Sequence, residues 1–426
     1  DRFNLAILET LKQYIFVFKE KKILNNKKNF GQLSVISETF QRCYLSDPKT
    51  GEYFLNLINN KEADFTRYTY FYLTYLIENS SIKKAEEITD NIKFIDTTLL
   101  LSQGKSWINN KNSKKLTSVF SCKNHNDVIS EFLFLVSNLY STQDEIEKSN
   151  FYLNLSNFLN SKFIYNLSLT AENHFSNKEY KKAKKTLKKF KKEDDLYYWY
   201  RLKKEAQIIA KQRNKKESLN YITSNFDNIQ QPNRRMILDI ANFYKNSKKY
   251  EKAAKYYSEI INSLNKDSQI KSDVLYRRGG SYERLGNYED ADKDLLNSLK
   301  INPNDAYVLN YLAYSWLERD YKINEAIEML ETAYALKSDD PYIIDSIGWA
   351  YFMVEDYLKA EKFMRRAVEL MPGDPIVNDH YGDILWKLNR KIQARYFWEN
   401  VLGMEEAEKK MLDKINIKLI DGLKNS

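Results

Sequence analysis

The stretch PYIIDSIGWAYFMVEDYLKAEKFMRRAVELMPGD, residues 341–374, decides the fold. In it Ile347 and Gly348 are followed by Tyr351, and then by Ala360, Met364, Ala367 and Pro372. The order predicts two antiparallel helices crossing at Gly348 and Ala360, where only a missing or minimal side chain lets the axes approach closely. Gly inside a helix costs about 1 kcal/mol relative to Ala, so the close packing must compensate for it. Tyr351, Met364 and Ala367 fill the space beside the crossing, and Pro372 ends the second helix.

Working outward, small residues recur at an almost constant step: Ala183, Ala253, Ala291, Ala326, Ala360 and Ala394, the last four separated by 35, 34 and 34 residues. Twelve residues before most of them stands another small residue, Ala171, Ala241, Gly279, Gly348 or Gly382. From Ser272, the residues Gly279, Tyr282, Ala291, Leu295, Ser298 and Pro303 repeat the pattern. The next unit carries Ala313, Trp316, Ala326, Leu330 and Ala333, with an extra residue in its turn near Tyr321. From Pro375 follow Gly382, Leu385, Ala394, Trp398 and Val401. Upstream, Ser137, Tyr140, Ser149 and Leu153 extend the phase, and Leu73, Leu76 and Ala85 suggest a further copy. Residues 1–60 are apolar and helix-compatible but carry no readable phase. A unit of about 34 residues cannot bury its own apolar face, so stacked units must share one continuous core.

These positions resemble the tetratricopeptide-repeat superfamily over 272–406, and more loosely over 130–271. The resemblance implies an all-α, right-handed solenoid of roughly ten to twelve antiparallel helix pairs. The expected organisation is divergent helical repeats over 1–130, degenerate repeats over 131–271, well-formed repeats over 272–406, and a capping helix over 407–426. The runs Leu309–Trp316, Asp345–Tyr351 and Asn378–Asp383 are also similar to blocks in proteobacterial cell-envelope repeat proteins. Among those are outer-membrane lipoproteins that act as adaptors for a carboxyl-terminal-processing protease. That likeness implies an envelope-facing adaptor, periplasmic or membrane-associated, with a cytoplasmic location as the alternative. The sequence starts at Asp1 and not Met, which is compatible with a leader removed or never included.

Composition agrees with an extended helical array. Six Pro and eleven Gly in 426 residues are few, and no apolar run approaches the ~18 residues of a membrane-spanning helix. Cys43 and Cys122 lie far apart without a CxxC motif, which argues against zinc or a disulfide framework and predicts two ordinary thiols. The net charge is +9, but residues 303–408 are net acidic by roughly nine charges, so the basic excess lies N-terminal.

The densest basic patch is Lys181, Lys182, Lys184, Lys185, Lys188, Lys189, Lys191 and Lys192. Ala183, Leu187 and Phe190 between them form an inward stripe, so the lysines are either a solvated outer helix face or a contact for anionic lipid or an acidic partner. Without interleaved Arg and stacking aromatics, the run does not predict nucleic-acid binding. The second candidate is the groove. In the resembled family the first helix of each pair lines a concave face, which places Tyr276, Arg277, Asn310, Tyr314, Asp345, Ser346, Trp349, Asp379, His380, Asp383 and Trp386 inward. The acidic trio Asp345, Asp379 and Asp383 then predicts a basic or amine-bearing peptide. The alternative is that these residues hold adjacent repeats together.

No nucleophile motif, phosphate loop or HExxH pattern appears, and Asp379 and His380 diverge by about 100° on a helix. Neither catalysis nor a cofactor or metal is expected. The leading reading is a protein-binding scaffold or adaptor. Its alternative is a peripheral membrane protein recruited through the basic N-terminal half. Leu412, Ile415 and Leu419 predict an amphipathic helix that either caps the stack or binds a partner.

Overall fold

The computed structural model describes residues 2–25, 28–60, 66–92, 97–264 and 268–423, and these form helices and turns with no strand. The chain divides into two compact units, Asp1–Met236 and Ile237–Ser426.

The first unit opens with α1 (Arg2–Glu20), α2 (Gln32–Tyr44) and α3 (Thr50–Ile58). Hairpins follow: α4 (Thr66–Glu78) with α5 (Ile82–Asp90), α6 (Leu99–Asn109) with α7 (Lys114–Val119), and α8 (His125–Thr142) with α9 (Ile146–Leu159). Two more complete it: α10 (Asn166–Ser176) with α11 (Tyr180–Leu187), and α12 (Asp195–Gln212) with α13 (Lys215–Phe226). The second unit runs from α14 (Arg234–Asn246), whose first turn holds the division, and α15 (Tyr250–Asn262). Then come α16 (Gln269–Arg284) and α17 (Tyr288–Ile301), α18 (Ala306–Leu317) and α19 (Ile323–Leu336), α20 (Pro341–Met353) and α21 (Tyr357–Leu370), α22 (Pro375–Lys387) and α23 (Lys391–Leu402), and last α24 (Lys409–Asp421).

Local chemistry repeats with the period. Asp305, Asp340 and Asp374 each cap a first helix, the carboxylate accepting from two backbone N–H groups. Such caps satisfy donors that a helix start leaves unpaired. Pro341 and Pro375 occupy the first helical turn, where a missing N–H costs nothing. In the second unit the intra-pair turns contain a left-handed residue, Lys248, Gly286, Glu355 or Asn389. The turn with the extra residue contains two, Asp320 and Lys322.

The crossings are as tight as the small residues require. A Cβ on Gly348 would stand 3.2 Å from Met364 Cε and 3.3 Å from Met364 N, and one on Gly382 would lie inside the Trp398 indole, 2.3 Å from Nε1. Ala291, Ala326, Ala360 and Ala394 are fully buried. Ser272 and Ser298, at the far end of the same crossing, each donate to the other's backbone carbonyl, at 3.1 and 3.0 Å.

The first unit repeats this plan in other residues. Ser130 and Ser156 reproduce the reciprocal bonds at 2.8 and 2.7 Å, and the Ser137 and Ser149 hydroxyls meet at 2.9 Å where Gly279 and Ala291 touch. Left-handed Ser80, Lys111, Asp144 and Lys178 mark the turns of four successive pairs. The N-terminal helices gather around an aromatic cluster that includes Phe40, Phe54, Phe71, Phe120 and Phe163. Beside it the half-buried Arg67 makes a two-point ion pair with the buried Glu131, at 2.8 and 2.6 Å, its guanidinium 3.9 Å from the Phe134 ring centre.

One expectation is corrected here. Cys43 and Cys122 are not separate thiols but a disulfide, with Cα atoms 5.8 Å apart across 79 residues. The reason is packing: Phe40 on α2 and Phe120 ahead of α8 meet in the aromatic cluster, which brings the neighbouring cysteines together. No described helix is long and apolar enough to cross a membrane.

Candidate partner-binding groove

First helices α16, α18, α20 and α22 present their inner positions to one side of the second unit. Tyr276 and Tyr311 meet edge to face, with ring centres 5.7 Å apart, and Arg277 reaches Asn242 Oδ1 at 3.4 Å. Asn310 and Tyr314 line a cleft of about 380 Å³ together with Glu318, Tyr342, Asp345 and Ile376. The Asn310 amide oxygen is buried with no donor. Burial first, then the Glu318 and Asp345 carboxylates, push the Tyr314 phenol above its ordinary pKa.

The acidic trio is engaged by the chain's own residues, the second of the two alternatives the sequence left open. Asp345 pairs with His380 Nδ1 at 3.0 Å, joining α20 to α22. His380 also stacks on Trp349 with ring centres 4.0 Å apart. Burial pushes the imidazole pKa down, but Asp345, aided by Asp379 and Asp383, outweighs it and leaves the value raised. Asp379 and Asp383 both hold the ammonium of Lys418 on α24, which lies 2.7 and 2.8 Å from the Asp383 oxygens. Asp383 further accepts from Trp398 Nε1 at 3.0 Å, and Trp386 packs against Trp398 at 5.4 Å. These carboxylates bind the chain's own cations because burial makes an unpaired charge costly.

Sequence reasoning missed the residues that do face outward. Tyr307, Tyr342 and Ile376 are 48, 63 and 49% exposed and occupy the second position of three successive first helices. Their recurrence at 35 and 34 residues was the available signal. Lys245 and Arg284, near the ends of α14 and α16, and Glu318, just past α18, were also missed.

The basic patch is divided. Helix α11 ends at Leu187, so Lys188, Lys189, Lys191 and Lys192 lie on the turn that follows it. Lys181, Lys182 and Lys185 are exposed on the helix, while half-buried Lys184 donates to Gln212 at 3.1 Å. Ala183, Leu187 and Phe190 are fully buried, as the stripe predicts. On the preceding pair, α9 exposes Phe151, Leu155 and Phe158 at i, i+4 and i+7. Among the described residues no three His, Cys, Asp or Glu side chains cluster as metal ligands.

Stacked helix pairs with a lined inner face define a helical-repeat scaffold, the class built for holding other proteins. Within it, residues 235–263 and 272–305 match sequence profiles of the tetratricopeptide repeat. A TPR repeat-containing protein of Pseudomonas aeruginosa is 31% identical over 138 residues, 32% of this chain and 22% of that protein. A second, from Methanocaldococcus jannaschii, is 41% identical over 80 residues, 19% of this chain and 13% of that protein. The chain thus spans less than a quarter of either relative. A solved tetratricopeptide repeat protein from Parabacteroides merdae is similar at 18% identity and a TM-score of 0.49, over 60% of this chain and 98% of that one.

Proposed function

We propose that the protein is a non-catalytic adaptor whose second unit grips a partner protein or peptide in the groove of α16, α18, α20 and α22. The observation that carries this is the row Tyr307, Tyr342 and Ile376, large apolar side chains held exposed at one position in three consecutive pairs. Aromatic and aliphatic anchors beside a cleft supply contact area at low entropy cost. An interface of the usual size would bury about 1,200–2,000 Å². A photo-crosslinker placed at Tyr342 should capture a partner, whereas one at Leu358, exposed on second helix α21, should not. Equal labelling from both positions would refute the groove.

The Cys43–Cys122 disulfide favours an oxidising compartment, because such bonds persist outside the cytosol. This supports the bacterial cell envelope, the location implied by the sequence resemblance. Trapping thiols in intact cells before lysis tests it: two freely alkylated cysteines would count against an envelope site.

A second reading has its own observation. The exposed Phe151, Leu155 and Phe158 ridge of α9 lies one helix pair from the lysines of residues 181–192. An apolar ridge flanked by lysines suits an anionic membrane surface. Sedimentation with anionic vesicles should be strong at low salt and lost in Phe158→Ser. No binding at low salt removes this reading.

A further inference from the structure

We infer that the groove of the second unit is polarised, taking one extended peptide segment with an anionic group toward α14–α16 and a cationic group toward α18–α20. The inference rests on the groove reading above and specifies its ligand.

The basic end is a cleft of about 410 Å³ whose wall holds Lys245, Lys248 and Arg284 against one carboxylate, Glu408, with Tyr250, Tyr276 and Tyr311 beside them. Arg277 stands beside it and donates to the neutral Asn242 at 3.4 Å. Burial, then Arg277 and Arg284, push the Lys245 pKa down. Arg284 pairs with Glu283 at 3.4 Å, so Lys245 and Arg277 are the like charges that among the described residues have no carboxylate partner, and beside them an anion gains most. Lys248 pairs with Glu408 at 3.2 Å, but both are about three-quarters exposed. A surface pair of that kind is worth little and yields readily to a better partner.

The second cleft shares Arg284 and Tyr311 with the first, so the two adjoin along the same helices. Its wall holds four carboxylates, Glu283, Glu318, Asp345 and Asp374, against two guanidiniums. Most are already engaged: Glu283 with Arg284 at 3.4 Å and the Tyr311 phenol at 2.9 Å, Arg319 with Asp292 at 2.8 Å, Asp374 with the start of α22, and Asp345 with His380. Exposed Glu318, bonded by the Tyr314 phenol and paired with no cation among the described residues, is therefore the carboxylate left to receive a ligand cation. On the same wall the donor-less amide oxygen of Asn310 suits a backbone N–H, which any extended peptide carries at regular intervals. Charges of opposite sign at two ends of one groove set the direction of a bound chain more than its affinity.

The test uses the full chain and dye-labelled peptides of about twelve residues on a Gly/Ser/Ala background, read by fluorescence anisotropy. Each has a pair of Asp and a pair of Lys separated by a short spacer, in both orders, with an Asn/Gln version as the uncharged probe. One order should bind at least about tenfold more tightly than the other, and the gap should narrow as salt rises from about 50 to about 500 mM. Lys245→Glu with Arg277→Glu and Glu318→Lys should invert the preference. Glu318→Gln alone, a milder surface change, should reduce it. Equal affinity for both orders, no binding by either, or an unchanged preference in these variants overturns the inference. A groove crosslink from Tyr342 surviving that result would leave the adaptor reading standing, so the two failures are distinguishable.

Discussion

Lys418 Nζ lies 2.7 and 2.8 Å from the two carboxylate oxygens of Asp383, a side chain that is only 5% exposed. Asp379 holds the same ammonium. The terminal helix is thus fastened to α22 by a cation placed between two acids, with Ile415 fully buried beneath it.

Removing one partner of a buried pair strands the other charge. Lys418→Met should therefore cost about 3–5 kcal/mol, read as a lower urea midpoint by circular dichroism. Adding Asp383→Asn should recover much of the loss, since the amide keeps an acceptor for Trp398. An unchanged midpoint in the single variant would show that the pair does not hold the helix.

The helix crossings should tolerate no added volume. Gly348→Leu should overpack against Met364 and cost about 1–3 kcal/mol, and Gly382→Leu, aimed into the Trp398 indole, should cost more. Gly373 has nothing within 4 Å of its notional Cβ, so Gly373→Ala should stay within about 0.5 kcal/mol. Equal melting temperatures for all three variants would contradict the close-approach argument.

The His380 pKa is raised in the folded state by Asp345, with Asp379 and Asp383 adding to it. A raised folded value means the folded chain binds the proton more tightly. The stabilisation is thus full below the unfolded pKa near 6.5 and is lost as pH rises through the folded value. Denaturation midpoints of the full chain should fall between about pH 6 and pH 8.5, and His380→Gln should flatten that slope. Parallel slopes in the two proteins would assign the effect elsewhere.

Cutting the disulfide releases a loop of 79 residues from its constraint. Cys43→Ser with Cys122→Ser should lower the stability of the first unit by about 2–5 kcal/mol. Hydrogen exchange should then quicken in α2, α4 and α8 while the second unit keeps its protection. Uniform exchange in both proteins would argue that the cross-link does not stabilise the unit.

What could be read in the sequence was what repeats. Gly279, Gly348 and Gly382 announced the crossings because the same geometric need returns every thirty-odd residues. Ser137 and Ser149 kept that register even where hydroxyls replaced Gly and Ala. Three features stayed hidden because they lie outside the period. The Cys43–Cys122 bond depends on an aromatic cluster assembled from distant segments. The partner of Asp379 and Asp383 sits on a helix that copies no other. The polarity inferred for the groove draws on Lys245 and Glu318, at the ends of first helices, where the sequence pattern sets no expectation.

The lock made by Lys418 is keyed to one particular place. Its cation fits the two aspartates of the pair directly before it, and Asp379 and Asp383 have no equivalent pair of acids at the same positions of α18 or α20, where Asn310 and Tyr314, then Asp345 and Trp349, stand. A repeat inserted between α23 and α24 would extend the stack only if it brought its own two acids. Without them the terminal helix would dock on a surface that cannot receive its charge, so lengthening this array by duplication requires copying α22 and no other first helix.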